Sequence, residues 1–230
     1  MADRTAADGA GVIFDVDGTL LDTNYLHVLA WSAAFGDNGF RIETADIHRA
    51  IGLPSDSLVE RLVQEQRPDL MEAHSDHFDR LRERYGVHAV TGAGDLLRRC
   101  AASGWTVVLS TSADKDDLDW MLPLIGADDV IAGTTTSGDV PHGKPHPDAM
   151  VTAMDAHGLA AERTLAVGDS VWDMRSARRA GIDCVGLTAG GISGPELQDA
   201  GAAEVHDDPA ALLGRFRLSL LGVRAPQTQR

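Results

Sequence analysis

Apolar positions along this chain follow two different periods. Val12-Ile13-Phe14 is a short uninterrupted apolar run of the kind a buried strand presents. From about Thr23 the spacing turns helical, with Leu26, Leu29, Ala30, Ala33 and Ala34 forming one apolar face, and the chain stays helix-like and strand-poor to about Tyr85. Stops at Gly36-Asp37-Asn38-Gly39, Gly52-Leu53-Pro54 and Arg67-Pro68 divide this stretch into four helices. Beyond Thr91-Gly92 strands return and alternate with helices. A helix over Asp95–Ala102 precedes the strand Thr106–Leu109, which ends on Ser110-Thr111-Ser112. Then come a helix over Asp116–Leu124, a short strand at Val130-Ile131, a loop to Pro147, a helix over Asp148–His157 and the strand Thr164–Val167. A helix over Trp172–Ala180, the strand Cys184–Leu187, a helix over Gly194–Ala200 and a short strand at Glu204-Val205 complete the alternation. The tail from Val223 reads as frayed.

Strands alternating with helices of this length predict an α/β fold: a Rossmann-like, doubly wound parallel sheet with helices on both faces. The helical stretch then reads as an inserted α-helical cap. We assign residues 1–22 and 90–230 to the core and 23–89 to the cap.

Composition narrows the setting. The chain has 230 residues, 43% of them apolar, enough for a packed core. No apolar run approaches the ~20 residues a membrane helix needs, and MADRTAADGA lacks the layout of a secretory leader, so a cytoplasmic location is expected. A net charge of −15 argues against nucleic-acid or anionic-membrane partners. Two cysteines, Cys100 and Cys184, read as buried thiols, and the only lysines are Lys115 and Lys144.

The candidate chemistry sits where strands end, which is where open parallel sheets bind ligands. Asp15 and Asp17 follow the first strand, Ser110 the second, Lys144 lies in the loop after the third, and Asp169 and Asp173 follow the fourth. Two acids at the end of a buried strand repel each other unless a cation or a shared proton compensates. A carboxylate can attack phosphorus if held in line, a neighbouring acid can serve the leaving oxygen, and a hard cation such as Mg²⁺ would relieve repulsion among Asp15, Asp169 and Asp173. Lys144 would hold phosphate oxygens, Ser110 would donate to them, and Thr19 would fix the loop carrying Asp17 and belong to the same phosphate-binding set. Asp17-Gly18-Thr19 also fits a simple turn, Ser110 and Asp169 helix caps, and Lys144 a solvated cation.

DVDGTL at Asp15–Leu20, Ser110, Lys144 in HGKPHPD and GDSVWD at Gly168–Asp173 resemble, in type and order, the four motifs of the haloacid dehalogenase superfamily, phosphatase branch. GLTAGGIS at Gly186–Ser193 is also similar to that family. The resemblance implies an Mg²⁺-dependent phosphatase acting on a small phosphorylated metabolite, of phosphoglycolate or sugar-phosphate type, through an aspartyl-phosphate on Asp15. It implies metal ligation by the Asp15 side chain, the Asp17 carbonyl and the Asp169 side chain, with Asp173 behind them. Asn24, His27 and Ser55 are the expected substrate contacts from the cap.

Other branches fit less well. Dehalogenases of this superfamily do not use the second acid, and a phosphonoacetaldehyde hydrolase needs a cap lysine that is absent between Asp22 and Val90. A β-phosphoglucomutase-like mutase stays open as an alternative because His27 falls where those enzymes carry a histidine, although the cap arginine and lysine that grip their second phosphate are missing. A phosphate-ligand-binding protein without turnover is a second alternative. His74 and His77, at i, i+3 spacing, read as solvated cap surface, and Trp31 and Trp120 as packing residues. Asp114–Asp117 reads as an acidic helix start. No residue pattern sets an oligomeric state.

Overall fold

A computed structural model describes residues 8–226. Val12, Ile13 and Phe14 are fully buried because β1 (Gly9–Phe14) is the third of six parallel strands. β2 (Thr106–Ser110) and β3 (Ile131–Thr135) lie on one side of it; β4 (Leu159–Gly168), β5 (Asp183–Leu187) and β6 (Ala202–His206) lie on the other. The sheet order is β3-β2-β1-β4-β5-β6, so the winding direction reverses between β1 and β4. Phe14 is in register with Leu109 and Val167, which brings Asp15 level with Ser110 and Gly168 at the carboxyl rim.

Alternation along β1 builds a core on each face. Val12 and Phe14 pack with α5 (Ala93–Ala102), α6 (Leu118–Ile125) and α10 (Pro209–Gly214). Ile13 packs with α7 (Asp148–His157), α8 (Val171–Ala180) and α9 (Gly194–Ala200). The expected α/β doubly wound sheet is present.

Between β1 and α5 run four helices, α1 (Asn24–Asp37), α2 (Thr44–Ala50), α3 (Ser55–Val63) and α4 (Pro68–Tyr85). They share a third apolar cluster around Trp31, Phe35, Ile47, Leu58 and Leu70. Trp172 of α8 joins that cluster and donates its indole N–H to the Arg49 carbonyl at 3.1 Å, tying the helices to the rim. The chain enters and leaves this block through adjacent segments, with Asp22 N–H donating to the His88 carbonyl and Val90 N–H to that of Leu20, both at 2.9 Å.

Several local expectations need correction. The buried face of α1 is Val28, Ala30, Trp31, Ala34 and Phe35, with Leu29 51% exposed; Ala30 and Ala34 are inward as expected, and Trp31 and Phe35 are buried beside them, in the cluster shared with α2, α3 and α4. β3 starts at Ile131 and continues through Ala-Gly-Thr-Thr, its Ala-Gly pair of weak strand propensity held by pairing with β2, whereas Val130 belongs to a 3₁₀ turn. Asp116 and Asp117 lie in a 3₁₀ turn over Lys115–Asp117, and α6 begins at Leu118. β4 starts at Leu159, five residues before the expected strand. The chain after β6 forms α10 and α11 (Leu220–Val223), so Val223 is helical and Arg224 pairs with Asp183 at 2.6 Å. Residues 227–230 of the expected frayed tail, and residues 1–7 of the N-terminal segment, lie outside the described residues. Both cysteines are buried and free, and among the described residues no helix is long and apolar enough to cross a membrane.

Candidate active site

Asp15 continues the backbone ladder of β1, its N–H donating to the Val167 carbonyl at 2.9 Å. The chain then turns sharply. Leu20 and Leu21 N–H both donate to the Val16 carbonyl, and Gly18, at φ 77°, closes the turn with its N–H on the Leu21 carbonyl at 2.8 Å. A side chain at Gly18 would collide with Asn24 and Asp169, so both its backbone angle and the close packing require glycine.

This turn sends the two acids in different directions. Asp15 is buried against the Lys144 ammonium, which also lies 2.8 Å from Asp173. Asp15, Asp169 and Asp173 each offer a carboxylate oxygen, all within 4.8 Å of one another. Asp17 instead accepts from the hydroxyls of Thr23 at 2.7 Å and Thr111 at 3.3 Å, and lies 3.5 Å from His27 Nε2. Thr23 precedes α1 yet makes no capping bond, its hydroxyl being committed to Asp17.

Electrostatics follow from this division. Burial raises Asp15 well above the usual carboxylate range; Lys144 opposes the rise, and Asp173 and Asp169 add to it. Burial, then Asp173, pushes Asp169 up to about 7. Burial also disfavours a charged Lys144, but Asp15 and Asp173 outweigh it and raise its pKa, so the ammonium is retained. Burial would raise Asp17 too, but hydrogen bonds and charge from His27, with Thr23, bring it below the usual value. Fully ionised, the three buried carboxylates would exceed the one ammonium by two negative charges, and the raised pKa values of Asp15 and Asp169 express burial together with that repulsion. That excess and the all-oxygen donor set fit a hard dication of the Mg²⁺ type.

Lys144 arrives on the loop between β3 and α7. The loop is pinned by Ser176 Oγ on the His146 carbonyl and Arg179 on the Pro145 carbonyl, both at 2.7 Å. Asp173 closes a capping box with Ser170 at the start of α8, so its helix-cap role and its pairing with Lys144 coexist on different oxygens.

A cavity of about 740 Å³ opens between this rim and the helical block, lined by Asp15, Asp17 and Lys144 from below and by His27, Ser55 and His74 from the helices. Four expectations change. Ser110 is fully buried and, among the described residues, its hydroxyl has no partner; Thr111, one residue on, lines the cavity and reaches Asp17. Strand alternation places neighbouring side chains on opposite faces, which is why one position decides this. Thr19 is not on the cavity wall either: it is fully buried, donating to Asp169 Oδ1 at 2.9 Å. Asn24 is not at the cavity but donates to Asp169 Oδ2 at 2.7 Å and to the Gly190 carbonyl at 3.2 Å. His74 is no solvated surface residue; it stacks on Trp31, with centroids 4.1 Å apart, and lines the cavity, while His77 pairs with Asp37 outside. His74 stands four residues from both Leu70 and Phe78, the buried residues of α4, a signal present in the sequence. Trp31 packs as expected, while Trp120, Asp114 and Asp117 also reach the cavity wall.

Comparison with known proteins gives the same lineage. A family model described as haloacid dehalogenase-like hydrolase matches residues 12–187. A phosphoglycolate phosphatase from Vibrio cholerae is 31% identical, over 88% of this chain and 94% of its own. A validoxylamine A 7'-phosphate phosphatase from Streptomyces hygroscopicus subsp. limoneus is 27% identical, over 76% and 84%. The crystal structure of a hydrolase from Pseudomonas syringae superposes with a TM-score of 0.84 at 33% identity, covering 91% of this chain and 98% of that one.

Proposed function

The chain belongs to the haloacid dehalogenase-like hydrolase family, and from that membership and the rim geometry we propose that it is an Mg²⁺-dependent phosphatase of a small phosphorylated metabolite, working through an aspartyl-phosphate. That it is a phosphoric monoester hydrolase agrees with its relatives. The observation that carries the reading is the divergence of Asp15 and Asp17: one acid lies among carboxylates and an ammonium, the other among hydroxyls and an imidazole.

Asp15 attacks phosphorus as the ester P–O bond breaks, with Lys144 neutralising the phosphoryl oxygens and Thr111 donating to them. Asp17 gives the leaving oxygen a proton. The acid is ionised in the free site, and an approaching phosphate dianion raises its pKa by like-charge repulsion, so it takes up that proton as substrate binds. Water then attacks the acyl phosphate, Asp17 takes the water proton, and phosphate leaves with Asp15 restored. The Asp15 and Asp169 side chains and the Asp17 carbonyl would hold the metal, with Asp173 beside them, and the ion would supply charge neutralisation at the phosphoryl group. Thr19 and Asn24 orient Asp169 by a hydrogen bond to each of its oxygens.

We assign residues 1–22 and 90–230 to the core and 23–89 to a cap that screens the cavity from water, consistent with a cytoplasmic metabolite phosphatase. His27 beside Asp17 favours a second reading, a β-phosphoglucomutase-like mutase. Against it, Lys144 is the only lysine or arginine lining the cavity among the described residues, which leaves a second phosphate without a grip. A phosphate-binding protein without turnover is disfavoured because all four rim carboxylates are in place. The test is a phosphate-release screen over small phosphorylated metabolites with and without Mg²⁺, following β-glucose 1-phosphate conversion in parallel. Metal-dependent release supports the phosphatase, isomerisation without release the mutase, and neither the binding protein.

A further inference from the structure

The charged side chains around the cavity are unevenly distributed between its floor and its walls. The one lining ammonium, Lys144, is engaged by Asp15 and Asp173 at the floor. The walls beyond carry Asp56, Asp114 and Asp117, with no lysine or arginine beside them among the lining residues described, and Asp79, which is paired from outside the lining. Arg82 lies over the Trp120 ring at 4.6 Å but is spent on Asp79 at 2.9 Å, and it is not part of the lining. Of the four lining histidines, His27 faces Asp17, His74 is held neutral, and His142 pairs with Asp148 at 3.0 Å. His146 remains, its ring stacked on that of His142 with centroids 4.9 Å apart.

A substrate brings its phosphoryl group to the floor, so the rest of it must lie along these walls. A carboxylate or second phosphate there meets like charge at short range with nothing to pair it, which costs about tenfold or more in binding for each uncompensated contact. A hydroxylated ring finds the opposite: carboxylate acceptors for its hydroxyls and the partly buried Trp120 face for its C–H surface. The cavity of about 740 Å³ holds a group of sugar size.

We infer that the substrate is a monophosphate ester of a sugar-sized polyol whose leaving group is uncharged or amine-bearing and carries no second anion. This rests on the phosphatase reading and narrows it: two-carbon phosphorylated acids and bisphosphates fall outside the class.

The test is a charge ladder on one skeleton: glucosamine 6-phosphate, glucose 6-phosphate and 6-phosphogluconate, with phosphoglycolate and 4-nitrophenyl phosphate alongside, assayed with Mg²⁺ at pH 8. The expected kcat/KM for either of the first two exceeds that for 6-phosphogluconate and phosphoglycolate by at least about tenfold. Asp114→Arg is expected to raise the ratio of 6-phosphogluconate to glucose 6-phosphate by about tenfold, and a ratio within one preparation does not depend on the folded fraction. Equal or faster release from the carboxylate-bearing substrates, while 4-nitrophenyl phosphate is also hydrolysed, overturns the inference and leaves the phosphatase reading standing. No release from any compound, 4-nitrophenyl phosphate included, overturns the phosphatase reading and this inference with it.

Discussion

His27 Nδ1 and His74 Nε2 lie 3.2 Å apart, and the far nitrogen of His27 points to Asp17 Oδ1 at 3.5 Å. One proton serves the contact between the rings, so His74 is held neutral, its pKa lowered to about 2 by burial and then by the charges of His27 and His77. The unfolded chain binds a proton at His74 below pH 6.5 that the folded protein does not, so stability falls as pH drops through 6.5 and is fully present above it. This histidine is expected to account for a loss on the order of 1 kcal/mol between pH 7.5 and 5.5. Urea unfolding of wild type and His74→Phe across that range checks it: the variant should lose less, and parallel losses would contradict a neutral buried imidazole.

Asp15→Asn removes the proposed nucleophile and one of three crowded carboxylates. Phosphate release should vanish while the melting temperature holds or rises, because two buried carboxylates instead of three then crowd the one ammonium, which keeps Asp173 as its partner. Retained turnover would remove Asp15 from the role.

Thr111 and Ser110 make a one-residue test of which side chain meets the phosphate. Thr111→Val should lower kcat by about a hundredfold, the usual cost of one preorganised donor, whereas Ser110→Ala should stay within a few-fold of wild type. The reverse order would return Ser110 to the phosphate.

Lys144→Ala leaves Asp15 and Asp173 buried without their cation, and urea unfolding without metal should show a loss of about 3–5 kcal/mol along with loss of phosphate release. Lys115 is exposed, and Lys115→Ala should cost less than about 0.5 kcal/mol. Equal effects would contradict the assignment of Lys144.

Mg²⁺ at about a hundred times its dissociation constant should stabilise the wild type by about 2.7 kcal/mol, read as a rise in melting temperature. Asp169→Asn, which breaks the cluster of three carboxylates, should lose most of that rise. An unchanged rise would place the ion elsewhere.

How much of this was legible in the linear chain differs from residue to residue. Asp15, Asp17, Lys144, Asp169 and Asp173 stand next to strand ends or in a loop bound for the same rim, and parallel βαβ winding brings such positions together whatever the side-chain detail. The sheet itself was legible for the same reason, since Val12-Ile13-Phe14 and Thr106–Leu109 carry the continuous apolar runs of strands buried on both faces. Side-chain direction was not. Ser110 against Thr111, the turning of Thr19 and Asn24 onto Asp169, and the entry of His74 into the cavity wall each depend on which neighbour comes to lie within about 3–4 Å across the fold. The sequence by itself determined which chemical groups reach the rim, because strand order and periodicity are properties of the chain. The partner and protonation of each group were decided only in the tertiary structure, because burial and charge proximity exist only once segments more than a hundred residues apart are packed together.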